Sequence, residues 1–377
     1  MKPLGLYLHI PFCKSKCLYC DFCSFPRPTL EDTEAYVSAL CRDLERWSER
    51  CRAHTVDTVY VGGGTPTVLN ASQLERIMDA VTRFYHLDDS AEITSECNPA
   101  TADASLLRSM RAAGWNRLSI GLQSAQTREL KALGRIHSFD DFQRTWETAR
   151  AVGFSNLSAD LMFGIPHQTE ESFEDTIEKT LSCEPNHLSV YSLIVEKGTV
   201  FGRRGEAELQ LPGEDAVRNM YLRMVEALNA VGVKQYEISN FARSGYESRH
   251  NLKYWNTDEY LGFGLGAYSD FGGVRFGNGR DFQRYLGGED ITEERETPDC
   301  KERLSEYVML RMRLNEGIEF RALEERFGAD AVEWARKSFA PYKEGDFLRM
   351  TQDRVAFTAE GMLVSNSILS DVLEFGD

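Results

Sequence analysis

Leu6-Tyr7-Leu8-His9-Ile10-Pro11-Phe12-Cys13-Lys14-Ser15-Lys16-Cys17-Leu18-Tyr19-Cys20 is an apolar strand that runs through a proline into three cysteines spaced C-x3-C-x2-C. Three thiolates within so short a loop can hold a metal centre and leave one metal position without a protein ligand. A [4Fe–4S] cluster is bound by thiolates on a short irregular loop of this kind. The rival is a structural zinc site, which closes with four Cys or His ligands in two spaced pairs. No second C-x2-C or H-x3-H follows, although His9 or Cys23 could supply a fourth ligand. Free thiols remain the plain alternative.

The pattern of that first strand repeats. Apolar, β-branched runs recur at Gly5–Ile10, Thr58–Val61, Ala91–Ser95, Arg117–Leu122, Leu157–Phe163, His187–Ile194 and Lys234–Ser239. Helix-period segments fall between them at Ser72–Phe84, Ala102–Ala113, Asp140–Ala151 and Glu170–Leu181, each opening near Ser, Thr, Asp or Glu. Alternating β and α predicts parallel strands joined by right-handed helical crossovers, hence an α/β fold built as a closed or partly open barrel. From about Thr292 the pattern changes to helices at Lys301–Leu314, Phe320–Phe327 and Ala331–Pro341, then two short strands, Leu348–Thr351 and Arg354–Thr358. That order predicts a small winged-helix-like C-terminal unit. The division expected is 1–240 for the barrel core, 241–291 for a connecting region and 292–377 for the C-terminal domain.

Composition narrows the function. With 377 residues and a formal charge of −16, the chain lacks the dominant Lys and Arg clusters that a nucleic acid backbone demands. Its nine cysteines, an odd number with three clustered, do not form a secreted disulfide framework. No apolar run is long enough to span a bilayer and no signal-peptide core precedes Cys13, so a cytoplasmic location is expected.

Polar residues fall where the strands end, which in a parallel barrel is the working face. Gly62-Gly63-Gly64-Thr65 follows the strand ending at Val61, and glycines there let the backbone approach a ligand closely; a tight turn is the bland reading. Glu96 closes the third strand, Gln123 the fourth, and Asp160 lies inside the fifth among apolar neighbours. A carboxylate in such a place is expensive to bury without a partner, and an ion pair inside the barrel mouth is the structural alternative.

Tyr7-Leu8-His9-Ile10-Pro11-Phe12-Cys13, the C-x3-C-x2-C spacing and Gly62-Gly63-Gly64-Thr65-Pro66-Thr67 together resemble the radical S-adenosylmethionine (SAM) enzymes, in the branch of the oxygen-independent coproporphyrinogen oxidases and the HemW-type heme chaperones. The resemblance implies a partial parallel (β/α) barrel and three cofactors or ligands, a [4Fe–4S] cluster, SAM and heme. It implies that Cys13, Cys17 and Cys20 bind three irons while SAM chelates the fourth, and that SAM is cleaved to methionine and a 5′-deoxyadenosyl radical. Carried over residue by residue, the SAM contacts are Tyr7, Tyr19, Gly63, Gly64, Thr65, Glu96, Gln123, Arg135, Asp160 and, more weakly, Ile194 at the end of the sixth strand.

Within that branch the residues lean one way. The oxidases carry a fourth cysteine two positions after the third, where this chain has Phe22, and Cys20-Asp21-Phe22 looks more like the chaperones. The first strand begins a few residues after Met1, and the long N-terminal extension of the oxidases is expected to be absent. His250-Asn251-Leu252-Lys253-Tyr254-Trp255 resembles the HNxxYW motif of HemW-type proteins, which implies heme contact at His250; on residue chemistry alone His250 equally serves as a hydrogen-bonding group in an ordered loop. The resemblance implies a heme chaperone that delivers heme to acceptor proteins such as respiratory cytochromes, with peripheral membrane contact through those acceptors. The alternative is an enzyme attacking a tetrapyrrole, by coproporphyrinogen decarboxylation, methylation or ring opening. No catalytic residue is assigned. The Gly262–Ser269 stretch, with its superficial G-x-G-x-G, is expected to be a close-packed loop over the barrel mouth rather than a dinucleotide site.

Overall fold

The computed structural model describes residues 1–99 and 101–373. It divides into two compact units, one of Met1–Val217 with Glu259–Glu296, the other of Arg218–Asp258 with Thr297–Asp377. The stretch 241–291 is thus shared between the units at Asp258 and Glu259.

The first unit is built on strands β1 (Lys2–Ile10), β2 (His54–Gly63), β3 (Leu87–Cys97), β4 (Arg117–Gln123), β5 (Asn156–Phe163) and β6 (His187–Ser192). Each pairs in parallel with the next, in the order of the sequence. Helices α1 (Leu30–Ser48), α2 (Ala71–Phe84), α3 (Ala104–Ala112), α4 (Thr127–Ala132), α5 (Phe139–Ala151) and α6 (Glu170–Ser182) make the crossovers. Capping boxes at Thr29, Asn70, Ser138 and Thr169 start four of them, each satisfying two backbone donors that the helix itself cannot. Among the described residues β6 pairs with β5 and not with β1, so the barrel is partial and open. Leu4, Leu6, Leu8, Val59, Val61, Leu118, Ile120, Leu157, Ala159 and Leu161 are all but fully buried on the strands' apolar side. The alternate positions carry polar groups such as Tyr60, Glu96, Ser119 and Asp160, as a period of two dictates.

Two expectations are corrected here. Lys234–Glu237 is a strand but not a further parallel one: it pairs antiparallel with Asn240–Ala242 inside the second unit. The parallel neighbour on the other side of β1 is instead β7 (Tyr260–Phe263), followed by antiparallel β8 (Tyr268–Phe271), β9 (Val274–Asn278) and β10 (Thr292–Glu296). The Gly262–Ser269 stretch is therefore strand, turn and strand, not a loop over the mouth. Gly264, at φ +91°, makes the turn, and Tyr36 of α1 clamps it by donating to the His9 carbonyl at 2.8 Å and accepting from the Leu265 N–H at 3.2 Å.

In the second unit Ile318–Glu319 pairs with Arg354–Phe357, which pairs in turn with Leu348–Met350; helices Phe320–Phe327 and Ala329–Phe339 lie between in sequence. This is the winged-helix order, closed around buried Ile318, Leu323, Phe339 and Phe357. No helix among the described residues is long and apolar enough to cross a membrane.

Candidate functional site

The three cysteines lie on the loop that leaves β1. Its backbone is fixed from several sides: Leu18 N–H donates to Leu133 O at 3.0 Å, Phe201 N–H to Leu18 O at 3.1 Å, Arg27 N–H to Cys13 O at 2.8 Å, and Cys20 N–H to Cys17 O at 3.3 Å. Leu18 and Tyr19 rest on Leu133, Met162, Ile165 and Phe201. His9 ties the loop to the barrel, donating from Nε2 to Cys23 O at 2.7 Å and accepting from Tyr7 OH at Nδ1, 3.0 Å away. Burial holds His9 below the usual imidazole value, so the ring is neutral and carries its proton on Nε2. Both ring nitrogens are committed, and His9 is not placed as a fourth metal ligand.

Cys13 is buried and Cys17 and Cys20 are half-buried. Thr65 donates to Cys13 Sγ at 3.6 Å, and Arg135 Nη1 to Cys17 Sγ at 3.4 Å. Burial pushes the Cys20 thiol up to about 11 and raises Cys13 as well, so thiolates here need a positive centre beside them. The donor chemistry fits an iron–sulfur cluster. Among the described residues no three His, Cys, Asp or Glu gather as ligands of one ion, an arrangement that a closed zinc site requires and a cluster bound through three separate irons does not.

Beside the loop, the turn after β2 runs against the strand ends. Gly64 N–H donates to Ile10 O at 2.8 Å and Thr65 N–H to Phe12 O at 2.7 Å. Gly63 has φ +105°, and a side chain there would fall on the His9 ring. Its N–H donates to Glu96 Oε2 at 3.0 Å while Tyr60 OH donates to Oε1 at 3.0 Å. Asp160 accepts from Ser119 at 2.7 Å. Arg135, besides holding Cys17, donates to Gly121 O at 2.7 Å and keeps its Nε buried with no hydrogen-bond partner. Gln123 sits at φ +68°, a strained backbone for a non-glycine at a strand end and a frequent mark of a working site. A carboxyl raised by the charge of a second and an unpartnered buried donor fit a ligand bearing both ammonium and carboxylate, as SAM does.

Desolvation, then the charge of Asp160, pushes Glu96 up to about 7 from an ordinary 4.5. Across that window the folded chain keeps a proton that the unfolded chain has released, so this group makes stability fall as pH rises, by no more than about 3 kcal/mol. Thermal unfolding of the ligand-free chain is expected at lower temperature at pH 7.5 than at pH 5, with Glu96→Gln flattening part of the slope. An unchanged slope in that variant would sink the assignment.

The structure places Gly63, Gly64, Thr65, Glu96 and Gln123 at strand ends of the first unit, Tyr7 and Asp160 within β1 and β5, Tyr19 on the cysteine loop, and Arg135 on the segment after α4, from which it reaches Cys17. Ile194 is not at a strand end: β6 ends at Ser192, where its pairing to Phe163 stops, and Ile194 lies in the following loop, 70% exposed. His250 is in the second unit, on the helix Arg249–Asn256; it is buried, with Nε2 2.8 Å from Tyr254 OH. Sequence reasoning missed the grip of Leu133 and Phe201 on the loop, and no local signal announces it.

Models of known families match two stretches: the radical SAM superfamily at residues 7–180 and the HemN C-terminal domain at 299–364. A protein described as heme chaperone HemW from Bacillus subtilis is 34% identical over 376 residues, covering 97% of this chain and 98% of its own. The heme chaperone HemW of Escherichia coli is 38% identical over 280 residues, covering 74% and 72%. The solved structure of coproporphyrinogen III oxidase (HemN) from Escherichia coli superposes with a TM-score of 0.87 at 23% identity, covering 100% of this chain and 91% of that one, which establishes the shared fold. The open parallel sheet with its three-cysteine loop is that of the radical SAM superfamily, and within it the chain belongs to the family of the HemW heme chaperones.

Proposed function

We propose that this chain binds a [4Fe–4S] cluster through Cys13, Cys17 and Cys20, takes SAM against Tyr7, Tyr19, the Gly63–Thr65 turn, Glu96, Gln123, Arg135 and Asp160, and binds heme for delivery to acceptor proteins such as respiratory cytochromes. The observation that carries the reading is likeness through both units to proteins named heme chaperones. Phe22, which is 66% exposed, stands where a fourth cysteine would be in an oxidase and has no donor for a metal.

Bound together, a cluster and SAM supply one-electron reductive chemistry. The chain's own residues do the rest: Glu96 and Asp160 offer negative charge to an ammonium, the Gly63 turn holds Glu96 through its N–H, and Arg135 holds Cys17 in place while its buried Nε is left for a ligand. Ile194, far out on its loop, is kept only as a weak contact. His250 is the proposed heme contact: its imidazole, whose Nε2 lies 2.8 Å from Tyr254 OH, would offer a nitrogen ligand to heme iron.

The test is a titration of anaerobically reconstituted protein with heme and, in parallel, with coproporphyrinogen III, SAM and reductant, followed by absorbance and product mass. Stoichiometric heme binding without decarboxylated product is expected; protoporphyrinogen would make this chain an oxidase. His250→Ala is expected to weaken heme retention at least about tenfold while leaving the iron–sulfur absorbance intact, and unchanged retention would remove His250 from the heme site.

A further inference from the structure

Inside the first unit, the strongest feature that the site leaves unexplained is a buried arginine on a neighbouring strand. Arg117 opens β4 and is only 1% exposed. In register it stands between Thr94 of β3 and Asn156 of β5. Arg117 Nε, Thr94 Oγ1 and Asn156 Oδ1 are all buried without a hydrogen-bond partner, so the guanidinium is not spent on tying its own row together. A buried guanidinium is a lasting charge, costly unless an opposite charge offsets it. Alternation along the strand puts Arg117 on the same face of β4 as Ser119, and Ser119 donates to Asp160 at 2.7 Å. Arg117 and Asp160 thus share the polar interior of the open barrel, with Ser119 between them.

We propose that Arg117 is a positioning residue for SAM: its charge, held inside the barrel, keeps Asp160 a carboxylate where the ligand binds. The inference rests on the reading of Asp160 as a SAM contact. Burial pushes the Asp160 carboxyl up, and Ser119, Ser189, Arg117 and Arg135 oppose it. Arg135 is also committed to Cys17 and to Gly121 O. The other titratable groups facing Asp160 are Glu96 and Cys97 on β3, Tyr60 on β2 and, through Ser158, His187 on β6. Burial keeps Tyr60 and Cys97 protonated and His187 neutral, whereas Glu96, pushed up to about 7, titrates near neutral pH. Without Arg117, burial is less opposed and Asp160 keeps its proton to higher pH. Affinity that depends on the carboxylate is then lost at the acid end and returns as pH rises.

The experiment measures SAM affinity of the full, cluster-loaded chain by equilibrium dialysis at pH 6.5 and pH 8.5. Arg117→Met is expected to bind about tenfold more weakly than the parent at pH 6.5 and to approach it at pH 8.5, and Arg117→Lys, which keeps the charge, to stay close to the parent at both. In an Asp160→Asn chain Arg117→Met is expected to cost nothing further, while in a Glu96→Gln chain the loss at pH 6.5 persists, which separates the two carboxyls. A loss equal at both pH values, a loss that survives in Asp160→Asn, or no loss overturns the proposal. Arg117→Gln repeats the comparison if circular dichroism shows the methionine variant unfolded. Urea unfolding of the ligand-free chains at pH 8.5 runs the same double-mutant cycle without SAM. A parent that binds no SAM defeats the reading of Asp160 as its contact, whereas additive unfolding effects of the two substitutions defeat the hold of Arg117 on Asp160.

Discussion

Replacing Cys13, Cys17 and Cys20 together by alanine is expected to abolish bound iron and sulfide and, with them, SAM cleavage, while the chain stays folded. The two halves of that expectation have separate physical grounds. Thiolates are the donors in this loop that suit iron and sulfide, and neighbouring His9 has both nitrogens engaged by Tyr7 and Cys23. The loop's shape, in contrast, is held by backbone bonds to Leu133, Phe201 and Cys13 that no thiol makes. Anaerobic reconstitution with iron and sulfide analysis and circular dichroism reads both. A triple variant that still carries the cluster would refute the ligand assignment.

Gly63→Ala is expected to destabilise the chain by about 3 kcal/mol and to lower cluster content. Two costs add. The backbone at φ +105° disfavours any side chain, and the added carbon would sit 2.3 Å from His9 Cε1, closer than real contacts allow. His9 must then move, and its bonds to Tyr7 and Cys23 move with it. Gly272→Ala separates the terms: it lies at φ +62° with nothing within 4 Å of the added carbon, so backbone conformation alone costs it about 1 kcal/mol. Urea unfolding of both variants provides the comparison. Equal destabilisation of the two would show that the His9 contact carries no weight.

The order of the elements was legible because barrel strands and their helices announce themselves locally, by β-branched runs, by capping residues and by the change of period. The cysteine loop and the Gly62–Gly64 turn were legible for the same reason: their chemistry is contiguous. Partnership was not. Lys234–Glu237 has the composition of a parallel strand, but a strand's place is set by what it pairs with, and a three-residue antiparallel partner, Asn240–Ala242, lies just downstream. Tyr260–Phe263 is a parallel neighbour of β1 hidden in a glycine-rich run, because glycine removes the side-chain period that marks a strand. Ile194 continued an apolar run past the point where β5 could pair with it. α1 escaped notice although Thr29 and Asp32 form its capping box. Of the site, Glu96 and Asp160 stood out as carboxylates in apolar strands, whereas the reach of Arg135 to Cys17 across 118 residues of sequence is a product of the fold.

The bracing of the cysteine loop by Leu133, Phe201 and His9 changes what metal loading means for this protein. Small zinc domains are disordered until their metal arrives, and the metal's binding energy is spent on folding them. Here the ordering of the ligand-bearing segment is completed by carbonyls and amides of the barrel itself. Cluster delivery becomes insertion into a shaped receptacle.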